Sequence, residues 1–174
     1  MYKHMNKTLI IGVGSILRGD DGIGPRVIDE MAKGPLPPDV KIEAGDLSGM
    51  DLLKFFPDNR KVIIVDAADM ALAPGTIRVF SPKDIKGSDF NDKFSTHGIG
   101  LLETLTLAGK LDMECEITII GIQPENTDFN LEISDLIRSK IPGVVEQIKK
   151  LIPAFGLTLA ASALPRTLRP WSRG

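Results

Sequence analysis

The stretch from Thr8 to Pro25 constrains the fold of this chain more than any other part of the sequence. An apolar, β-branched run leads into a glycine-rich loop with two adjacent acids, Asp20 and Asp21, and Gly24-Pro25 then opens an amphipathic segment. This pattern predicts a strand, a loop and a helix, because proline in the first helical turn loses no hydrogen bond. A carboxylate just before the helix is stabilised by the positive end of the helix dipole.

The acid pair itself favours a cation-binding loop over two simpler interpretations. A helix cap needs one acceptor oxygen, whereas two neighbouring carboxylates repel each other. A dinucleotide-binding turn would need a third glycine where Leu17 stands, and Asp20 and Asp21 would face the phosphate. We therefore expect a cation rather than a phosphate at this loop.

Strand and helix patterns alternate along the rest of the chain. Apolar patterns predict strands at 40–44, 61–65, 76–80 and 116–122, with 61–65 central and 76–80 at an edge. Helices are predicted at 50–55, at 98–108 with Gly109 as a stop signal, and from about Ser134 to Leu151 with an interruption near Pro142-Gly143. Residues 81–96 are polar without a clear period and predict a long loop.

This order of elements predicts an α/β fold with three layers, in which helices cover both faces of an open, mostly parallel twisted sheet of about five strands. The length of 174 residues and the 43% hydrophobic content suit one domain, which we assign to residues 1–153. Residues 154–174 contain three arginines and no acid, and predict a mobile or loosely docked tail.

Composition argues against several classes of function. The net charge of −2 gives no basic surface for nucleic acid. The single Cys115 excludes an internal disulfide and is expected to be a small buried hydrophobe or a strand-edge residue. No apolar run reaches the roughly 20 residues of a membrane helix, and the first residues carry no signal-peptide pattern, so we expect a soluble, cytoplasmic protein. The sequence leaves the oligomeric state open and favours a monomer.

Several polar residues follow predicted strands directly and so predict a site. Asp21, Asp66 and the segment 123–125 each come after a strand, and ligands bind beyond the carboxyl ends of such strands. His97 precedes a predicted helix and could reach the same edge. Two carboxylates and an imidazole can hold a borderline divalent ion such as nickel or zinc. In simpler interpretations, Asp66 caps its loop and His97 only begins a helix.

The pattern Gly12-x-Gly14-x-x-Leu17-x-x-Asp20-Asp21-Gly22-x-Gly24 resembles the opening signature of the hydrogenase maturation proteases. These endopeptidases remove the C-terminal extension from the large subunit of nickel–iron hydrogenases once nickel is installed. The resemblance covers about residues 8 to 150, and the segment Gln123-Pro124-Glu125 matches the family's loop after the last central strand. Ser15 stands where the family usually has asparagine.

The resemblance implies an aspartic-type peptidase that acts on a hydrogenase large-subunit precursor. The three metal-contacting residues of the family fall on Asp21, Asp66 and His97, and the two aspartates would be catalytic. The nickel would be contributed by the precursor, and no organic cofactor is implied. Asp46 and Asp69 are expected to be turn residues.

Two alternatives come from other classes of protein. A phosphoacceptor signalling domain also has an acid pair after its first strand, but it needs a lysine where this chain has Gln123-Pro124-Glu125. A non-catalytic nickel carrier or checkpoint module could use the same three ligands. That alternative stays open, since no Ser-His-Asp or Cys-His nucleophile set is apparent in the sequence.

Overall fold

The computed structural model describes residues 7–45, 49–86, 101–111 and 113–156. These residues form five strands in one sheet of order β2-β1-β3-β5-β4. The strands are β1 (Thr8–Val13), β2 (Val40–Gly45), β3 (Lys61–Ala67), β4 (Ile77–Phe80) and β5 (Glu116–Ile122). Four of them run in parallel, and β4 pairs antiparallel with β5 at the edge. The predicted mostly parallel open sheet is confirmed, with β3 central and β4 at an edge.

Helices and short 3-10 turns connect the strands. The helices are α1 (Ile23–Met31), α2 (Pro82–Lys86), α3 (Leu101–Lys110), α4 (Asp135–Arg138) and α5 (Ile141–Leu151), and 3-10 helices span Gly19–Gly22 and Gly49–Phe55. The predicted helix at 134–151 is two helices, separated at Ser139-Lys140, with Pro142 in the first turn of α5. Gly109 does not stop α3, which continues to Lys110.

The prediction of a continuous loop from residue 81 to 96 is wrong at its start, where α2 forms. The N-terminus of α2 is capped by a local exchange of hydrogen bonds between Ser81 and Asp84. The Asp84 carboxylate accepts from both N and Oγ of Ser81, at 2.7 Å each, and the Asp84 N–H donates to the Ser81 carbonyl oxygen. This is one half of a capping box, in which the carboxylate of the third helical residue accepts from the N–H of the capping residue. The other half is replaced, because Ser81 Oγ donates to that carboxylate and does not accept from the Asp84 N–H. Residues 87–100 lie outside the described part of the chain.

Two apolar layers bury the two faces of the sheet. On the first face, α1 and α5 pack on side chains such as Ile10 and Ile63. On the second face, α3 and the 3-10 helix at 49–55 pack on side chains such as Ile11 and Ile64. Alternate residues of β1 and β3 thus point to opposite layers, as a sheet covered on both sides requires.

The start of the predicted tail continues this packing. Phe155 is buried in the first apolar layer, and residues after 156 lie outside the described part of the chain, so the tail remains a prediction. Cys115 is half-buried against the second layer, as expected for a small hydrophobe. No helix within the described residues has the length and apolar character needed to cross a bilayer.

Candidate active site

Asp21 lies at the carboxyl end of β1, in the 3-10 helix at 19–22. Its side chain is fully buried, and its Oδ2 accepts a hydrogen bond of 2.8 Å from the backbone N–H of Ser15. The contact uses the backbone, so it does not depend on the side chain at position 15. The replacement of the family's usual asparagine by Ser15 therefore leaves this support of Asp21 intact.

Asp66 lies within β3, one residue from its end, so the strand extends past the acid rather than ending before it. The residue is 2% exposed and pairs with Gly121 of β5. Since side chains alternate along a strand, Asp66 belongs to the face of Ile64, which is the face that α3 covers. The carboxylate therefore lies near the carboxyl end of the central strand, on the face of the sheet that α3 covers.

The fold brings the elements that carry these two acids together. The 3-10 helix that holds Asp21 contacts β3. Both carboxylates are almost completely removed from water. In the protein interior, charge interactions are less screened than at the surface. Burying a carboxylate is costly unless hydrogen bonds or an opposite charge compensate it, so each acid depends on the groups that the fold places around it.

The third predicted ligand cannot be placed beside them. His97 lies outside the described residues, as does Asp46. Within the described part of the chain, no group of three or more histidine, cysteine, aspartate or glutamate side chains is arranged to hold a metal ion. The assignment of a ligand set to Asp21, Asp66 and His97 therefore stays a prediction.

Asp20, the other member of the acid pair, has a supporting role that the sequence reasoning missed. Its carboxylate is 1% exposed and accepts hydrogen bonds from the segment that follows β5. The Oδ2 accepts from the N–H groups of Glu125 and Asn126 at 2.9 Å each and from Ser134 Oγ at 3.1 Å, and the Oδ1 accepts from Ser134 N at 2.7 Å. Asp20 therefore ties the loop after β1 to the loop after β5.

Gln123 performs a similar task between β5 and the loop after β3. Its Oε1 accepts from the N–H groups of Met70 and Leu72 at 2.7 and 3.3 Å, and its Nε2 donates to Asp69 Oδ1 at 3.3 Å. Asp69 also accepts from Ala71 N at 3.2 Å, which confirms the prediction that it is a turn residue. The position of Gln123 directly after a strand predicted that it lies near the site, but nothing in the local sequence indicated that its amide holds the loop after β3.

Comparison with known proteins agrees with this architecture. A sequence model of the family described as hydrogenase maturation protease matches residues 25–151. The hydrogenase expression/formation protein HupD of Rhizobium leguminosarum bv. viciae is 29% identical over 158 residues, covering 89% of this chain and 78% of HupD. The hydrogenase 2 maturation protease of Escherichia coli is 28% identical over 163 residues, covering 92% of this chain and 96% of that protein.

A solved structure has the same fold. The hydrogenase maturating endopeptidase HybD from E. coli superposes with a TM-score of 0.70 at 26% identity, covering 92% of this chain and 98% of HybD. The family match spans most of the chain and includes β3, β5 and the helices that cover the sheet. The chain therefore belongs to the hydrogenase maturation protease family.

Proposed function

We propose that this protein removes the C-terminal extension of a nickel–iron hydrogenase large-subunit precursor and recognises the nickel that the precursor carries. The observation that supports this most directly is the burial of Asp21 and Asp66 at the same end of the sheet. Carboxylates at this end of the sheet can attract a cation, which an apolar end could not do. The relatives named above as a maturation protease and a maturating endopeptidase support the processing reaction.

In this proposal the two aspartates and His97 contact the nickel of the precursor, which is part of the substrate. Carboxylate oxygens and imidazole nitrogen both suit a borderline divalent ion. Contact with the metal places the adjacent peptide segment beside the acids. A carboxylate at this position can accept a proton from the attacking water as a general base, which makes Asp21 and Asp66 the catalytic residues of an aspartic-type peptidase.

The test is cleavage of the large-subunit precursor from the same organism, prepared with and without nickel. We expect the protein to release a short C-terminal peptide from the nickel-loaded form and to leave the nickel-free form intact. Mass spectrometry of the product identifies the cleaved bond. An uncleaved nickel-loaded precursor, in a preparation that a control protease still digests, would contradict the proposal.

The free protein should bind nickel weakly, because without the precursor only three protein ligands are proposed to contact the ion. Two of these ligands are carboxylates that repel each other. Titration of the free protein with nickel by calorimetry measures this affinity. Nanomolar binding in the absence of precursor, together with no cleavage, would instead indicate the nickel carrier considered from the sequence.

A further inference from the structure

An apolar patch lies exposed beside the candidate active site. It consists of Ile16 and Leu17 in the loop after β1 and of Phe129 and Leu131 in the segment between β5 and α4. Their exposed fractions are 54%, 48%, 81% and 62% in that order. Isolated exposed apolar residues are ordinary, but a group of them on adjoining segments marks an interaction surface.

The two segments that carry the patch are joined through their backbones. Arg18 and Asn130 form a parallel bridge, in which Gly19 N donates to Asn130 O at 2.7 Å and Asn130 N donates to Leu17 O at 3.0 Å. Leu17 and Phe129 directly precede the two bridge partners in sequence. They are therefore neighbours on one surface.

Side chains from the body of the protein hold the outer segment in place. Arg18 Nε donates to the carbonyl oxygen of Thr127 at 3.3 Å, and Arg26 Nη2 donates to that of Leu131 at 2.8 Å. The buried carboxylate of Asp20 accepts from N–H groups at both ends of the segment. A surface held in this way loses little conformational entropy when a partner binds.

Acidic side chains adjoin the patch along the chain. Asp128 and Glu132 lie next to Phe129 and Leu131 in sequence. Together with Glu125 they line an open cleft of about 690 Å³, which borders the patch and is not lined by its apolar side chains. The two nearby guanidinium groups, Arg18 and Arg26, already donate to carbonyl oxygens of the segment. A partner that matches this surface therefore presents an apolar side chain with a positive charge next to it.

We propose that the apolar patch is the docking surface for the protein substrate, and that it binds an apolar side chain in a precursor segment that also carries lysine or arginine. This inference rests on the proposed function and assigns the substrate contact beside its site. The patch borders that site, because Asp21 N donates to the Arg18 carbonyl oxygen at 3.0 Å, next to Leu17. A second copy of this chain fits poorly, since two such patches would bring like charges together.

The first experiment compares Phe129→Ser with Leu111→Ser in cleavage of the nickel-loaded precursor. Leu111 is 55% exposed and lies between α3 and the amino end of β5, whereas the patch lies beyond the carboxyl ends of β1 and β5, so it is a matched control. We expect Phe129→Ser to raise KM about tenfold, equivalent to about 1.4 kcal/mol, with kcat within about twofold of wild type. Phe129→Leu, which keeps an apolar side chain, should restore a KM near the wild-type value.

The second experiment tests the charge of the partner. Asp128→Lys combined with Glu132→Lys should raise KM about tenfold at low salt and less at high salt, because exposed charges are screened. The control pair is Asp58→Lys with Glu114→Lys, two exposed acids that precede β3 and β5 and so lie at the amino ends of these strands, away from the patch. That pair should leave KM unchanged.

The outcomes separate the docking surface from the proposed function. Wild-type protein that cleaves the precursor, with an unchanged KM for Phe129→Ser, would overturn the docking surface alone. Wild-type protein that fails to cleave would overturn the proposed function and this assignment with it. A wild-type dimer in sedimentation that Phe129→Ser converts to a monomer would assign the patch to self-association and contradict the docking of substrate.

Discussion

Gly24 lies so close to Val65 that a Cβ atom at position 24 would be 2.5 Å from the Val65 carbonyl oxygen. Val65 directly precedes Asp66, and Gly24 follows Asp21 by three residues. The close approach of α1 to β3 therefore places the loop that carries Asp21 against the strand that carries Asp66. Only a residue without a side chain permits this approach, which gives one glycine of the sequence pattern a physical reason.

Gly24→Ala should accordingly destabilise the protein by about 3 kcal/mol, because the added methyl group meets backbone atoms that cannot rotate away. Gly143→Ala in α5 is the matched control, since no atom among the described residues lies within 4 Å of its added Cβ. That change should stabilise the protein by about 0.5–1 kcal/mol through helix propensity. Urea unfolding measures both, and equal effects of the two substitutions would contradict the packing argument.

Asp20→Asn should lower the free energy of unfolding by about 2 kcal/mol, because an amide keeps one acceptor oxygen and leaves buried N–H donors unsatisfied. The donors at risk belong to Glu125, Asn126 and Ser134. The neighbouring Asp21→Asn change should cost much less, because the amide oxygen can still accept from Ser15 N. Thermal unfolding of both variants distinguishes the two acids, and the reverse order of stability would refute the assignment.

The sheet could be predicted from the sequence because β1, β3 and β5 are short, mostly apolar runs, whereas β2 and β4 alternate apolar with polar residues. It could not separate the roles of Asp20 and Asp21, which are adjacent and chemically identical. Their difference depends on contacts more than a hundred residues away in the chain, such as that of Asp20 with Ser134. Local patterns carry no information about such partners.

The local sequence also contained a signal for α2 that the predictions did not include. Ser81 and Asp84 have the spacing of a capping box, although Asp replaces the usual Glu or Gln. The polar composition around them favoured a loop, so α2 was missed. The sequence placed Gln123 in a segment beside the predicted site, whereas its specific role is to fix the turn that contains Asp69.

Cys115 should react slowly with iodoacetamide in the folded protein. Burial, reinforced by the adjacent Glu116 carboxylate, raises the pKa of its thiol to about 11. The thiolate fraction at pH 8 falls about a hundredfold, and the greater nucleophilicity of a more basic thiolate recovers part of this, leaving a rate about tenfold lower. The comparison is the same chain in urea, where Cys115 is still the only cysteine to be labelled.

The alkylation rate of folded protein should keep rising between pH 9 and 11 rather than levelling off near 9, in line with a thiol pKa of about 11. A raised pKa means that folding favours the protonated thiol. The stability that this provides is therefore present below the ordinary thiol pKa and is lost as the pH rises through about 11. Folded and unfolded protein that react alike at pH 8 would contradict the burial of this group.

Asp66→Asn and Asp21→Asn should each lower the rate of cleavage of nickel-loaded precursor by at least about a hundredfold. A loss of this size is expected when a general base is removed. Asparagine keeps the shape of aspartate but removes the charge that attracts a cation. Asp66 is 2% exposed, and a residue that is kept for function often lowers stability. Replacing its buried charge should therefore leave the melting temperature unchanged or raise it. Loss of activity without loss of stability is the combination that a merely structural aspartate would not give.

Asp69→Asn is the matched control for these two variants. Asp69 lies three residues after Asp66, in the turn that Gln123 holds, and its Oδ1 accepts from Ala71 N and from Gln123 Nε2. An asparagine oxygen can accept the same hydrogen bonds, so we expect cleavage within about twofold of wild type. An Asp66→Asn variant that cleaves at the wild-type rate would remove Asp66 from the catalytic site while leaving membership of the protease family untouched, because that membership depends on the chain as a whole.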